Sequence, residues 1–144
     1  MPEALVDTTV LFAAAYPNDT RHTDGIEVVR GIDDGSLPEG VVLSYVLAET
    51  LNGLNEKGGH RLAVEFLSRI EENERFKIRR TSAGQFADAK AVFRRYEGLS
   101  FVDSVIISYM HENGLSYLYS FDDDFDATDI HRIEGTVNPF EPGN

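Results

Sequence analysis

Four carboxylates, Asp7, Glu49, Asp103 and Asp122, hold the positions in this chain from which acids do chemistry. Asp7 ends the apolar run Ala4-Leu5-Val6, and Asp122 follows Leu118-Tyr119-Ser120-Phe121. In open parallel sheets the ligand crevice lies beyond the carboxyl ends of the strands. Both acids therefore fall on one rim if their strands are central and parallel. For either one alone, the alternative is a loop carboxylate that caps the next helix. Asp103 shares a helical stripe with Ile106, Ile107 and Met110, and a carboxylate on the core side of a helix is costly unless it is paired or bound to a metal. The other account of Asp103 is a first-turn acid held by backbone donors and the helix dipole. Glu49 lies one turn into a helix on a mixed face with Val46, Asn52 and Gly53, a spacing that does not separate it from a solvated glutamate.

Four such charges in one place require a cation. Two unit charges 4 Å apart repel by about 4 kcal/mol at an effective dielectric of about 20. The chain has no cysteine, which excludes disulfides, thiolate zinc sites, iron–sulfur clusters and a cysteine nucleophile. All-oxygen ligands favour Mg²⁺ or Mn²⁺, and such a site serves phosphoryl chemistry. The four histidines, His22, His60, His111 and His131, show no ligand spacing. The run Asp122-Asp123-Asp124-Phe125-Asp126 fails as a calcium loop, with Ala127 where the sixth position needs glycine and Ile133 where the twelfth needs a bidentate glutamate. A phosphoaspartyl mechanism at Asp7 fails as well, since Thr8 and Thr9 follow it and no acid stands two residues on.

The elements that position these acids alternate along the chain. Apolar runs at 4–6, 41–43, 76–78 and 116–119 read as strands. Helical periodicity appears at 10–16, from an N-cap at Thr23 to Asp34, from Ser44 to 57, at 60–72, after the capping box Ser82-Ala83-Gly84-Gln85, and at 102–113 before Gly114. Strand and helix in turn predict an α/β protein, a central parallel sheet covered by helices on both faces. With 144 residues and no linker or repeat, the chain predicts one domain over 1–137 and a Pro/Gly-containing tail at 138–144. Neither a bilayer-length apolar run nor a signal-peptide pattern is present, so a cytoplasmic location with no membrane contact is expected. The net charge of −12 repels polyanions, or reflects adaptation to a salt-rich cytoplasm. Against that background Arg79 and Arg80, together with Arg94 and Arg95, are candidate RNA contacts or simply a solvated, ion-paired face.

Taken together, the acid-bearing segments resemble the PIN domain family, and within it the VapC-like toxin ribonucleases of toxin–antitoxin pairs. Leu5-Val6-Asp7-Thr8-Thr9-Val10 is similar to the first motif of that family, and Ser44-Tyr45-Val46-Leu47-Ala48-Glu49-Thr50-Leu51 to the helix bearing its glutamate. Leu99-Ser100-Phe101-Val102-Asp103-Ser104 is similar to the third motif and Ser120-Phe121-Asp122-Asp123-Asp124-Phe125 to the fourth. The resemblance implies a three-layer α/β/α fold and a Mg²⁺- or Mn²⁺-dependent endoribonuclease that leaves a 5′-phosphate and a 3′-hydroxyl. Its metal and catalytic residues would be Asp7, Glu49, Asp103 and Asp122, with Asp126 as substitute for the fourth and Ser120 orienting Asp122 or a water. It also implies an RNA substrate, a cognate antitoxin and a homodimer, with the stripe Leu62, Phe66, Leu67 and Ile70 available for a partner. The competing reading is a catalytically silent PIN-like module that binds protein or RNA.

Overall fold

The computed structural model describes residues 2–141. Strands β1 (Glu3–Val6), β2 (Glu39–Leu43), β3 (Phe76–Arg79), β4 (Tyr117–Tyr119) and β5 (His131–Ile133) form one parallel sheet in the order β3-β2-β1-β4-β5. Helices α1 (Thr8–Ala15) and α2 (His22–Asp34) connect β1 to β2. Helices α3 (Ser44–Gly58) and α4 (His60–Glu72) connect β2 to β3, and α5 (Ala83–Arg95) and α6 (Phe101–Asn113) connect β3 to β4. The first two crossovers step one way along the sheet and the third steps back, which with right-handed connections places α1 to α4 on one face and α5 with α6 on the other. The packing agrees, as α1 meets α2 and α3, α3 meets α4, and α5 meets α6. This is the three-layer α/β/α arrangement the alternation predicts.

Because both faces are covered, the central strands are apolar without alternation. Leu5, Val6, Val41, Val42, Leu43, Leu118 and Tyr119 are all fully buried. The order reverses between β1 and β4, whose register pairs Leu5 with Leu118 and Val6 with Tyr119. That switch point opens a crevice at the carboxyl ends of these two strands. Gly35 and Gly114 stop α2 and α6 in the left-handed region, at φ 86° and 65°, where a Cβ is strained.

Four local readings need correction. Strand β5 is absent from the sequence reading because only Ile133 of its three residues is buried, and His131 and Arg132 mask the apolar signal. A 3-10 turn, Asp123–Ala127, follows the fourth acid and was not anticipated. The N-cap of α2 lies two residues before Thr23, at Arg21, and Ser44, expected to cap α3, is instead its first residue and makes no cap bond. Part of the tail expected at 138–144 lies outside the described residues. Within them, Asn138 donates through Nδ2 to the Ser36 carbonyl and the Phe140 ring meets Tyr117 edge-on, with 5.1 Å between centroids. No helix among the described residues is long and apolar enough to cross a membrane.

Candidate metal centre

Asp7 leaves β1 with its side chain only 2% exposed. Its Oδ2 accepts from two hydroxyls, Thr9 Oγ1 at 2.9 Å and Ser120 Oγ at 2.8 Å. Each hydroxyl also receives a backbone N–H from the loop after β4, Phe121 N reaching across to Thr9 at 3.0 Å and Asp122 N bonding Ser120 within that loop at 3.0 Å. A backbone bond from Asp7 N to the Tyr119 carbonyl closes the junction. The loops after β1 and β4 are thus latched by two hydroxyls that orient Asp7 and the start of the Asp122 turn at once. No hydrogen bond from another side chain reaches Asp7 Oδ1 among the described residues.

Asp103 arrives from the other face. Ser100 and Asp103 form a capping box at the start of α6, in which Ser100 Oγ accepts from Asp103 N and Asp103 Oδ2 accepts from Ser100 N, both at 3.1 Å. The capping account of Asp103 therefore holds, and the same carboxyl also feels the charges of Asp7 and Asp122. Burial, then the charges of Asp7 and Asp122, push its carboxyl up to about 7 against the opposing bonds from Ser100. Asp7 is likewise raised, first by burial and further by the Asp122 charge, despite the bonds from Ser120 and Thr9. Ser100→Ala should cost about 1 kcal/mol, a fall of about 3 °C in the thermal midpoint of a chain this size. A thermal melt monitored by circular dichroism checks it.

The fourth strand end carries more acid than one ligand needs. Asp122 Oδ1 accepts from Asp124 N at 2.9 Å. Asp122, Asp123 and Asp124 can each bring one oxygen within 4.8 Å of the others. The Asp122 charge raises Asp124 above the usual carboxylate range. Asp126, the expected substitute, is instead gripped by Arg132 through two bonds of 2.8 and 3.0 Å, which hold its carboxyl low. Glu49 is exposed on α3 and lines a shallow pocket with Thr8, Thr9 and Phe121, the residues that flank Asp7 and Asp122.

The candidate arginines separate. Arg79 makes a bidentate pair with Glu3 at 2.6 and 2.7 Å and is thereby already engaged. Arg80, Arg94 and Arg95 are exposed and make no ion pair among the described residues, Arg95 lying over the Tyr96 ring. The sequence reading gave no role to Thr9, which does as much to orient Asp7 as Ser120 does. Its signal was a hydroxyl two residues after the acid, at the start of a helix.

The sequence matches the PIN domain family over residues 4–130. The chain belongs to the PIN family. A search of curated protein sequences finds no significant match. Among solved structures, this PIN domain is similar to Mycobacterium tuberculosis VapC20, described as a sarcin-ricin-loop cleaving toxin, with a TM-score of 0.78 and 26% identity over 90% of this chain and 98% of that one. It shares its fold with VapBC2 of Rickettsia felis, solved on a promoter DNA fragment, with a TM-score of 0.64, 14% identity and coverage of 91% and 97%. It also shares its fold with FitAcB of Neisseria gonorrhoeae, with a TM-score of 0.64, 16% identity and coverage of 91% and 96%.

Proposed function

We propose that this PIN domain is a divalent-metal-dependent endoribonuclease and the toxin of a toxin–antitoxin pair. The observation that carries this reading is the electrostatic coupling of Asp7, Asp103 and Asp122 beyond the carboxyl ends of β1 and β4, where burial and the neighbouring charges raise Asp7 and Asp103. An array of oxygen donors that destabilises its own charges fits a hard cation. Asp7, Asp103 and Asp122 would hold Mg²⁺ or Mn²⁺, with Glu49 closing the site from α3. When bound, the ion would supply Lewis acidity and a nucleophile at neutral pH. Ser120 and Thr9 keep Asp7 in one orientation, and Ser120 also fixes the backbone at Asp122. Arg80, Arg94 and Arg95 remain available to steer RNA.

An antitoxin partner is supported by the neighbours, whose names include toxin–antitoxin assemblies. We place it in the groove of about 700 Å³ between α2 and α4, where Ile26 and Val29 face Leu62, Phe66 and Ile70. This contains three of the four residues of the apolar stripe read from the sequence. A homodimer belongs to the same proposal, and light scattering on the purified chain checks it.

The decisive experiment incubates a structured RNA pool with the purified chain in Mg²⁺, in Mn²⁺ and in EDTA. Cleavage with either metal and none in EDTA is expected, with 5′-phosphate product ends. Cleavage that persists in EDTA rejects the metal mechanism. Tight RNA or protein binding with no cleavage in any metal replaces it with the silent module.

A further inference from the structure

We infer that the pocket beside the acids, walled by Phe12 and Phe121 and flanked by Arg21 and Lys57, binds the RNA nucleotide adjoining the scissile phosphate. This rests on the nuclease reading and adds a substrate subsite to it. The pocket encloses about 460 Å³, within the span of about 300–1,000 Å³ typical of small-molecule sites. It joins the acid centre directly, because Thr8 follows Asp7, Phe121 precedes Asp122, and Glu49 forms part of its wall.

Its chemistry suits a nucleotide. On a chain of net charge −12 two cations line this pocket beside the carboxylates of Asp19 and Glu49, and each cation lies near an aromatic ring. The Arg21 guanidinium sits 4.0 Å above the centre of Phe121, and the Lys57 ammonium lies 5.7 Å from that of Phe12. Arg21 is fixed there, with Nε on Asp24 at 2.8 Å and its backbone N–H on Asp19 at 2.8 Å. Lys57 makes no ion pair among the described residues. Unpaired bases stack on aromatic rings and on guanidinium planes, while neighbouring cations hold the backbone. Thr8 also lines the pocket, its hydroxyl buried and hydrogen-bonded to nothing among the described residues. Gly53 lets the Phe12 ring pack close to α3, since a Cβ there would meet the ring at 3.3 Å.

The test compares Lys57→Ala, Lys57→Arg and Arg21→Ala, each checked for folding by thermal melting. Binding of a short fluorescein-labelled single-stranded RNA is followed by anisotropy at several KCl concentrations in an Asp7→Asn background that does not cut. Each alanine should weaken binding about tenfold and lower the slope of log K against log[KCl] by about 0.7, the contribution of one phosphate contact on a single strand. Lys57→Arg should retain both. In the cutting chain the same alanines should raise KM about tenfold and leave kcat within about threefold. If Arg21→Ala fails to fold, the exposed Lys57 carries the test alone. Cleavage with unchanged binding, slope and KM overturns the subsite and leaves the nuclease reading standing. Binding that depends on both cations in a chain that never cuts supports the pocket and overturns the nuclease reading.

Discussion

Asp7→Asn should melt higher than the unaltered chain in EDTA while losing cleavage. The carboxylate is almost wholly buried beside two other acids, so its charge opposes folding. The amide retains an oxygen for the Thr9 and Ser120 hydroxyls, which keeps the latch between the loops. Removing the charge should raise the midpoint by about 2–5 °C, as 1 kcal/mol corresponds to about 2–4 °C at this size. Losing a ligand should reduce cleavage by about a thousandfold or more, the equivalent of about 4 kcal/mol of transition-state stabilisation. The rise in midpoint that Mn²⁺ produces in the native chain should vanish as well. Melting in EDTA and in Mn²⁺, beside a cleavage assay, measures all three. A variant that melts lower in EDTA, or still responds to Mn²⁺, would show that Asp7 is a structural cap. On the proposed metal centre, the expected result would mark a trade of stability for function.

The second large effect is a stability profile that falls with rising pH. The folded Asp103 carboxyl titrates at about 7 rather than at its ordinary 3.8. Between those values the folded chain binds more protons than the unfolded one, so stability rises as pH drops through the window. From pH 7 to 5 the metal-free chain should gain about 2–3 kcal/mol from this group. Lower still, carboxyls held below their usual range by their partners, such as Glu3 on Arg79, reverse the trend as they protonate. Maximum stability is therefore expected near pH 5. Asp103→Asn should flatten the gain, and Mg²⁺ or Mn²⁺ at pH 7 should supply the lost stability by neutralising the cluster. Urea unfolding at pH 5 and 7, with and without metal, tests the sign. Identical slopes in the native and Asp103→Asn chains would remove Asp103 from the charged centre.

Much of this was legible in the residues because local physics decides it. The strands β1, β2 and β4 are continuous apolar runs, since a parallel sheet covered on both faces leaves no polar side to encode. The box at Ser82 announced α5, and Gly35 and Gly114 closed α2 and α6, whereas the box at Ser100 emerged only in the structure. Strand β5 escaped because it is short, lies at the sheet edge and takes its order from backbone pairing to β4 rather than from its side chains. Asp126 stood as a substitute for Asp122 because spacing carries no information about Arg132, which claims it. Arg79 looked free for the same reason, its partner Glu3 being 76 residues away in the chain.

By itself the order of residues determined the element types, the α/β class, the exclusion of sulfur chemistry and the identity of the acids worth watching. These depend on neighbours within a few positions, where side-chain size, charge and backbone preference act directly. Tertiary structure alone decided which acids meet, which hydroxyls hold them, which arginines are already paired, and that Arg21 and Lys57 stand over aromatic rings beside the centre. The latch on Asp7 depends on the reversal of strand order between β1 and β4, which sets residues more than a hundred positions apart into hydrogen-bond contact. No local pattern encodes a distance across that junction.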